Sequence, residues 1–572
     1  MARGIVLGLR SRNDEDMSAD GKQPVNVAAR LTAMAQAMPD AIAVVEPQGY
    51  DGTGKRRYRQ VTFRELDQDS DRIARGLRQL GVTPGTRLAL LVRPGIDFIS
   101  LVFGLYKAAA VAILIDPGMG RRNLVRCLAD AEPEGLVAIP MVHAVRTLLR
   151  RRFPKVRYNV TVGRRWFWGG TTLEELRGGP WAGGELVPTG PDEPAAIIFT
   201  TGSTGPPKGV LYRHGNFDAQ VEQIRDFYGI EPGEIDLPGF PLFGLFNCAM
   251  GVTTVIPEMD PTRPARVDPT KIIEAVHDWS VTQTFGSPAI WDCVGRYCRE
   301  HGVQLATVRR VLSAGAPVPA EVLQDMKDCI HPDGDVHTPY GCTEALPVAS
   351  ISATEVLGET AAQTRQGAGV CVGRNFSGIQ WKVIRIVDGP LNSLEEIDEL
   401  PPGEIGELIV RGRVVTREYC TRVESNALGK ISDGTAIWHR MGDTGYIDRQ
   451  GRFWFCGRVA HRVITAEGPM YSVRCEAIFN RHPDVYRSAL VGVGPPGRQR
   501  PVIILEPKRG LMPRTTEATE TMLDEIRRLG RSSPLTAGIE KFLLKKTFPV
   551  DIRHNAKIFR EQLAQWAADK IG

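Results

Sequence analysis

The chain has 572 residues, 42% of them hydrophobic and 24% charged, an ordinary soluble globular composition long enough for several subdomains. A net charge of +5 at pH 7, with Lys and Arg interspersed among Asp and Glu, gives no argument for nucleic acid as substrate or partner. The ten cysteines, among them Cys127, Cys342, Cys420 and Cys475, contain no C-x-x-C pair, which predicts reduced thiols in a cytoplasmic protein and offers no zinc-ligand spacing.

Arg3, Arg10, Arg12 and the acidic Asp14-Glu15-Asp16 run open the chain with too short an apolar stretch for a secretory signal. Their polar composition predicts disorder over residues 1–24. Apolar spacing at 27–37 predicts a helix, and Thr62 with Glu65, three apart, has the capping-box pattern of a second helix running to about Leu80. Residues 96–115 are apolar enough to raise the question of a membrane span. Asp97 and Lys107 within them, and Asp116-Pro117-Gly118 after them, favour a helix ending near Lys107 followed by a short buried strand at 111–115. Further short β runs at 87–92, 135–139, 195–199, 252–256 and 282–285 alternate with helical stretches, which implies a layered α/β architecture with largely parallel sheets. From Gly378 the texture changes to strands and turns, at 381–387, 405–410, 445–448 and 452–456. Beyond Gly457 lies a smaller unit with strands at 489–494 and 501–506 and helices near 517–529 and 557–570. The expected organisation is a segment 1–24, a multi-subdomain N-terminal body 25–457 with a β-rich subdomain, and a small mobile α+β C-terminal domain 458–572.

Thr200-Thr201-Gly202-Ser203-Thr204-Gly205-Pro206-Pro207-Lys208-Gly209, directly after an apolar run, is the most telling stretch. Glycines let backbone N–H groups approach an anion, and hydroxyls and an ammonium add donors, so the loop is suited to a nucleotide's phosphates. In the Walker pattern the lysine follows the last glycine; here Lys208 precedes Gly209, and Pro206-Pro207 would interrupt the amide cradle. A Walker-type NTPase is therefore disfavoured.

The loop resembles the signature of the adenylate-forming superfamily of acyl-CoA synthetases, luciferases and peptide-synthetase adenylation domains, and further motifs follow in the family's order. Gly315-Ala316-Pro317 looks like the segment against the adenine. Tyr340-Gly341-Cys342-Thr343-Glu344 matches Y-G-x-T-E, where the resemblance implies that Tyr340 stacks near adenine, Thr343 meets the α-phosphate and Glu344 holds Mg2+. Asp443, after Met441-Gly442, resembles the ribose-binding aspartate. Arg458 precedes the family's hinge, whose usual acidic pair is replaced by Ala460-His461. Lys557 aligns with the catalytic lysine of the final segment, of which Pro549 and Lys557 are retained. The implied ATP-binding set is Thr200, Thr201, Gly202, Ser203, Thr204, Gly205, Lys208, Gly315, Ala316, Pro317, Tyr340, Gly341, Asp443 and Arg458, with Lys557, Thr343 and Glu344 catalytic. The implied cofactors are ATP and Mg2+.

Many acyl-CoA synthetases carry P-x-F-H after the phosphate loop, whereas Gly244 stands here in place of that histidine. Phe240, Phe243, Gly244, Phe246, Ser287 and Trp291 are candidate acyl-pocket residues, though apolar runs of this kind are usually plain core. The segments at 238–243, 338–347 and 457–463 resemble the bacterial olefin-biosynthesis branch. Its members are β-lactone synthetases that adenylate a long-chain 2-alkyl-3-hydroxy acid and let the β-hydroxyl close the ring. The resemblance implies a bacterial cytoplasmic enzyme working beside a decarboxylase, a reductase and a thiolase-like enzyme. Alternatives are a long-chain acyl-CoA ligase and a silent nucleotide-binding scaffold. His214 and His461 are weak candidates for a base.

Overall fold

The structure is a computed structural model describing residues 25–179, 183–200, 206–550 and 558–571; segment 1–24 lies outside them. The alternating β runs assemble into two large, mostly parallel sheets. In the first, the strands Thr171–Thr172, Tyr158–Thr161, Gly135–Ala138, Arg87–Leu91, Val111–Leu114 and Pro194–Phe199 lie side by side and parallel, and Gly209–Arg213 closes the edge antiparallel to Pro194–Phe199. The second has nine strands. Its parallel centre runs from Ile42–Tyr50 through Thr253–Val255, Ile235–Pro238, Gln283–Gly286 and Arg310–Ser313 to Asp335–Cys342, with antiparallel strands at both edges.

Residues beyond Gly369 form an antiparallel sheet ordered Val370–Cys371, Phe453–Arg458, Ala436–Ile447, Gly406–Arg411 and Gln380–Ile384, with Lys430–Asp433 also paired to Ala436–Ile447. The expected strand at 445–448 is thus the end of a much longer one. Its first half reads as polar because it contains His439 and Arg440, yet both are buried, Arg440 through its ion pair with buried Glu407 at 2.6 Å. Past Arg458, Val485–Val493 and Arg500–Pro507 pair antiparallel and Lys541–Leu544 joins parallel. The helices Ser472–Phe479, Thr516–Arg531 and Arg560–Ile571 flank them. Phe479, Leu490, Ile503 and Ile526 form one core there, and Ala489, Ile504, Phe548 and Leu563 form another on the opposite side of the small sheet.

The capping box forms as its residues dictate: Thr62 Oγ1 accepts from the Glu65 amide while the Glu65 carboxylate accepts from the Thr62 amide. The apolar stretch resolves into a buried helix, Ile96–Lys107, whose last residue carries its charge into the core. There the Lys107 ammonium meets Asp67 and Asp71, each at 2.6 Å, and such pairing is what makes a buried ammonium tolerable. Among the described residues no helix is long and apolar enough to cross a membrane.

One core feature has a pH signature. Asp236, fully buried on Ile235–Pro238, accepts from Asn247 Nδ2 at 2.6 Å, while Asp236 Oδ1 and Asn247 Oδ1 have no hydrogen-bond partner among the described residues. A proton on the carboxyl supplies the donor this pair lacks. Burial pushes the Asp236 pKa up to about 7, against the pull of the Asn247 hydrogen bond and the Arg310 charge. An acid whose folded pKa lies above its unfolded one adds stability at low pH that is lost as pH rises through the folded value. We therefore expect Asp236→Asn, which keeps shape and supplies an N–H, to flatten the decline in Tm between about pH 4 and pH 8 and to melt above wild type at the alkaline end. Parallel Tm–pH curves for the two proteins would refute this.

Candidate active site

The three large sheets meet where Tyr340 to Glu344 lie, beside Asp443 and beside the strand that follows residues 200–208. The phosphate-loop residues connect two antiparallel strands, Pro194–Phe199 and Gly209–Arg213, whose pairing ends at Phe199 with Gly209. The segment 419–422 straps this hairpin: the Cys420 amide donates to Gly209 O at 2.9 Å, and the Gly209 amide donates to Thr421 Oγ1 at 2.7 Å. The Thr200 amide donates to Lys208 O at 2.9 Å, closing the loop's base. Thr201, Gly202, Ser203, Thr204 and Gly205 lie outside the described residues, as does Lys557. Gly315, Ala316 and Pro317 lie between the strand Arg310–Ser313 and the helix Ala320–Cys329, with Gly315 and Pro317 exposed.

Tyr340 to Glu344 form the end of Asp335–Cys342 and its tight turn into Ala345–Ser352. A Cβ on Gly341 would stand 2.6 Å from Ala345 O, so the turn admits only glycine. Across the sheet junction Tyr340 reaches Asp443, donating from its hydroxyl to Oδ2 at 2.5 Å. Arg458, directly opposite Asp443 on the next strand, donates to Oδ1 at 2.6 Å and to Met441 O at 3.2 Å. Burial and the neighbouring Asp443 charge hold the Tyr340 pKa well above its ordinary value, so it remains a donor. The Asp443 charge likewise raises that of Arg458. Each Asp443 oxygen still has a lone pair, since a carboxylate accepts about four hydrogen bonds.

Around Glu344 the structure adds residues that carry no motif. Tyr419 donates to Glu344 Oε1 at 2.7 Å, and the ammonium groups of Lys208 and Lys430 stand 4.7 and 5.6 Å from the centre of the Tyr419 ring. Lys430 is buried and donates to Thr416 O; burial lowers its pKa to about 8, against the opposing pull of Glu344. His439 lies opposite Lys430 in the strand pairing. Burial and the Lys430 charge push its imidazole down to about 3, so it is neutral. Its Nδ1 therefore donates to Gly429 O at 2.8 Å, and the lone pair is on Nε2. Burial raises the Glu344 pKa; His439 when protonated, the Tyr419 hydroxyl and the Lys430 ammonium lower it, and the net direction is below the ordinary carboxylate value. With His439 neutral, Lys430 supplies the persistent positive charge. Donor atoms of Cys342, Glu344 and His439 lie within 4.8 Å of one another, a grouping the cysteine spacing did not reveal. One signal for Lys430 and His439 was available. Gly434-Thr435, flanked by Asp433 and Ala436, is a two-residue hairpin turn with glycine first, and pairing its arms sets Lys430 opposite His439.

The candidate acyl residues line the C-terminal ends of parallel strands. Phe240 is exposed, whereas Phe243 is buried and stacks on Phe285 with centroids 4.1 Å apart; Phe246 is half-buried beside it. Gly244 sits in the helix Phe243–Met250, where an added Cβ would come within 3.1 Å of the Thr254 methyl, so close packing of helix on strand gives this glycine a structural reason. Trp291 is fully buried against Gly286. Its Nε1, with Ser287 Oγ, Thr284 Oγ1 and Ser313 Oγ, has no hydrogen-bond partner among the described residues. His214, a candidate base, is a core residue whose Nδ1 accepts from the Val27 amide. His461 faces Glu561 at 3.6 Å.

A junction of α/β sheets presenting a nucleotide-suited loop, a buried aspartate and a glutamate held by tyrosine and lysine defines a nucleotide-handling enzyme. The chain belongs to the AMP-binding enzyme family, whose model matches residues 31–420. It is 46% identical over 552 residues, 95% of this chain and 98% of the relative, to an olefin β-lactone synthetase of Xanthomonas campestris pv. campestris. A second olefin β-lactone synthetase, from Stenotrophomonas maltophilia, is 45% identical over 96% of this chain and 99% of its own. In fold it is similar to amide bond synthetase McbA from Marinactinospora thermotolerans, with a TM-score of 0.77 at 21% identity, covering 95% of this chain and 99% of that one.

Proposed function

We propose that this protein is a cytoplasmic olefin β-lactone synthetase, carried by near-full-length likeness to two curated enzymes of that name. It adenylates a long-chain 2-alkyl-3-hydroxy acid with ATP and closes the activated acid to a β-lactone. In the first step a carboxylate oxygen attacks the α-phosphorus and the bond to pyrophosphate breaks. In the second the substrate's β-hydroxyl oxygen attacks the acyl carbon, the hydroxyl proton passes to a base, and AMP leaves. With the acceptor inside the substrate the second step is intramolecular, which offsets the strain of a four-membered ring.

The body 25–457 binds the nucleotide and 458–572 acts as the lid. Asp443, steadied by Arg458 and Tyr340, accepts from the ribose hydroxyls with its remaining lone pairs. Gly315, Ala316, Pro317 and Tyr340 border the adenine, and Thr343 meets the α-phosphate. Thr200 to Lys208 receive the β- and γ-phosphates, and Lys557 neutralises charge between carboxylate and α-phosphate. Glu344 suits Mg2+ because it presents a single hard, ionised carboxylate, Tyr419 and Lys430 holding it so, and Mg2+ takes one or two carboxylates together with substrate phosphates. The ion would supply charge neutralisation at the pyrophosphate. Cys342 and His439 are softer donors and are not assigned to it. The apolar Phe243 and Phe246, with the polar atoms of Ser287 and Trp291 that have no partner among the described residues, support an acyl pocket that also offers donors to a hydroxy acid. The product is fit for a decarboxylase, and a reductase and a thiolase-like enzyme would supply the acid.

Purified enzyme given a long-chain 2-alkyl-3-hydroxy acid, ATP and Mg2+ without CoA should yield lactone and AMP in equal amounts. Lys557→Ala should abolish acid-dependent pyrophosphate release while ATP binding persists. A thioester formed only with CoA would favour a long-chain acyl-CoA ligase. No ATP consumption with any acid would favour a silent scaffold.

A further inference from the structure

The helix Pro140–Leu148 buries one face and leaves an apolar stripe in water on the other. Met141, Val145 and Leu148, at i, i+4 and i+7, are 61, 45 and 85% exposed, while His143 on the opposite side is fully buried. A second exposed apolar element starts beside the N-terminus of this helix, where a Cβ on Gly163 would lie 3.9 Å from Pro140 Cδ. After the strand Tyr158–Thr161 the chain forms a loop anchored by Trp168, whose buried indole donates to Thr161 Oγ1 at 2.9 Å and stacks on His143 with centroids 5.5 Å apart. From that anchor Trp166 and Phe167 project, with centroids 5.4 and 5.1 Å from Trp168, and are 50 and 74% exposed. Helix and loop are thus tied together through His143 and Trp168, and five large apolar side chains stand on the tied unit. Scattered exposed apolar residues need no explanation, but a grouped set marks an interaction surface.

Charge identifies what it meets. From residue 135 to residue 173 the chain contains eight Lys and Arg and no Asp or Glu, in a protein whose charges are otherwise mixed. Lys155, Arg157 and Arg165 are paired with Glu132, Glu134 and Glu175, which lie outside that stretch. Arg150, Arg151, Arg152 and Arg164 are exposed and make no ion pair among the described residues. An exposed Trp and Phe with aliphatic side chains, flanked by unpaired arginines, is the chemistry of an interfacial membrane contact. The apolar groups enter to the headgroup–acyl boundary and the arginines meet anionic headgroups.

We propose that this face, the helix Pro140–Leu148 with the 163–168 loop, docks the enzyme reversibly on an anionic phospholipid bilayer. The loop and helix bear no residue assigned to nucleotide or acid, so docking stands apart from the chemistry. On the proposed function it would also place the enzyme where a substrate with two long alkyl chains partitions.

Flotation of the full chain with phosphatidylcholine vesicles, with and without phosphatidylglycerol, tests it. Binding should be seen with phosphatidylglycerol, fall as salt is raised, and be at least about tenfold weaker on phosphatidylcholine alone. Trp166→Ser with Phe167→Ser should lower binding about tenfold or more while leaving Tm and vesicle-free ATP–pyrophosphate exchange unchanged. Should that pair disturb folding, Arg150→Ser, Arg151→Ser and Arg152→Ser together serve instead and should remove the preference for phosphatidylglycerol. Absence of binding to either vesicle, or undiminished binding by these variants, would overturn the proposal. So would a self-association that the Trp166 and Phe167 changes abolish without any vesicle binding.

Discussion

Glu344→Gln should lower acid-dependent ATP–pyrophosphate exchange by about a hundredfold or more, equivalent to roughly 3 kcal/mol of transition-state stabilisation. The side chain keeps its size and can still accept from Tyr419, whose hydroxyl lies 2.7 Å from Oε1, so the change removes charge and little else. That charge is what a divalent cation beside a polyphosphate requires, and Glu344 is held ionised, with a pKa below the ordinary carboxylate value, by its neighbours. Nucleotide affinity measured without Mg2+ should change little, whereas the Mg2+ concentration for half-maximal exchange should rise. Near-wild-type exchange with an unshifted Mg2+ requirement would remove Glu344 from the proposed metal site. The buried Lys430 ammonium provides an internal check. Losing the carboxylate removes a charge that holds its pKa up, so Lys430 should become easier to neutralise.

Asp443→Asn should raise the KM for ATP about tenfold or more with a smaller change in kcat. Both carboxylate oxygens are engaged in the folded protein, one by Tyr340 and one by Arg458, and in the proposed role ribose hydroxyls would take the lone pairs that remain. An amide has one acceptor oxygen, already wanted by Tyr340, and its N–H2 would face the Arg458 guanidinium, donor against donor. Binding rather than the chemical step should therefore suffer. GTP, whose ribose is the same, should be discriminated against no less than before; a selective loss of base preference instead would mean that Asp443 reads the base. An unchanged KM for ATP would overturn the ribose assignment.

Local pattern accounts for much of the architecture. The helix Phe63–Gln79 follows from Thr62 and Glu65, the helix end at Lys107 from the charges within an apolar run, and the parallel strands from short β-prone runs between helical ones. The strand Gly209–Arg213 was not legible because five residues carry too little alternation to separate from the loop before them. The first half of Ala436–Ile447 was hidden by buried polar residues whose partners, such as Glu407 for Arg440, lie far away in sequence. The loop, Tyr340 to Glu344, and Asp443 were legible as candidates because the proposed polyphosphate, metal and ribose contacts call for particular donors and acceptors in a fixed local order. Tyr419 was not, and Lys430 and His439 were legible only as opposite members of a hairpin, because their roles arise from pairing across strands and between sheets.

The sequence by itself determined the class of chemistry. Lysine before glycine in the loop, and a threonine and glutamate after Tyr340, are covalent neighbours whose spacing no folding event can alter. Only the tertiary structure decided the electrostatics. It set Tyr340 and Arg458 on the two oxygens of Asp443, placed Lys430 in the core beside Tyr419 and Glu344, and gave Gly244 a packing role against Thr254. It also left apolar side chains of 140–168 in water and tied the helix Pro140–Leu148 to the following loop through His143 and Trp168. Spacing along a chain fixes which groups travel together, whereas burial and partner charges depend on which strands become neighbours, and non-local pairing decides that.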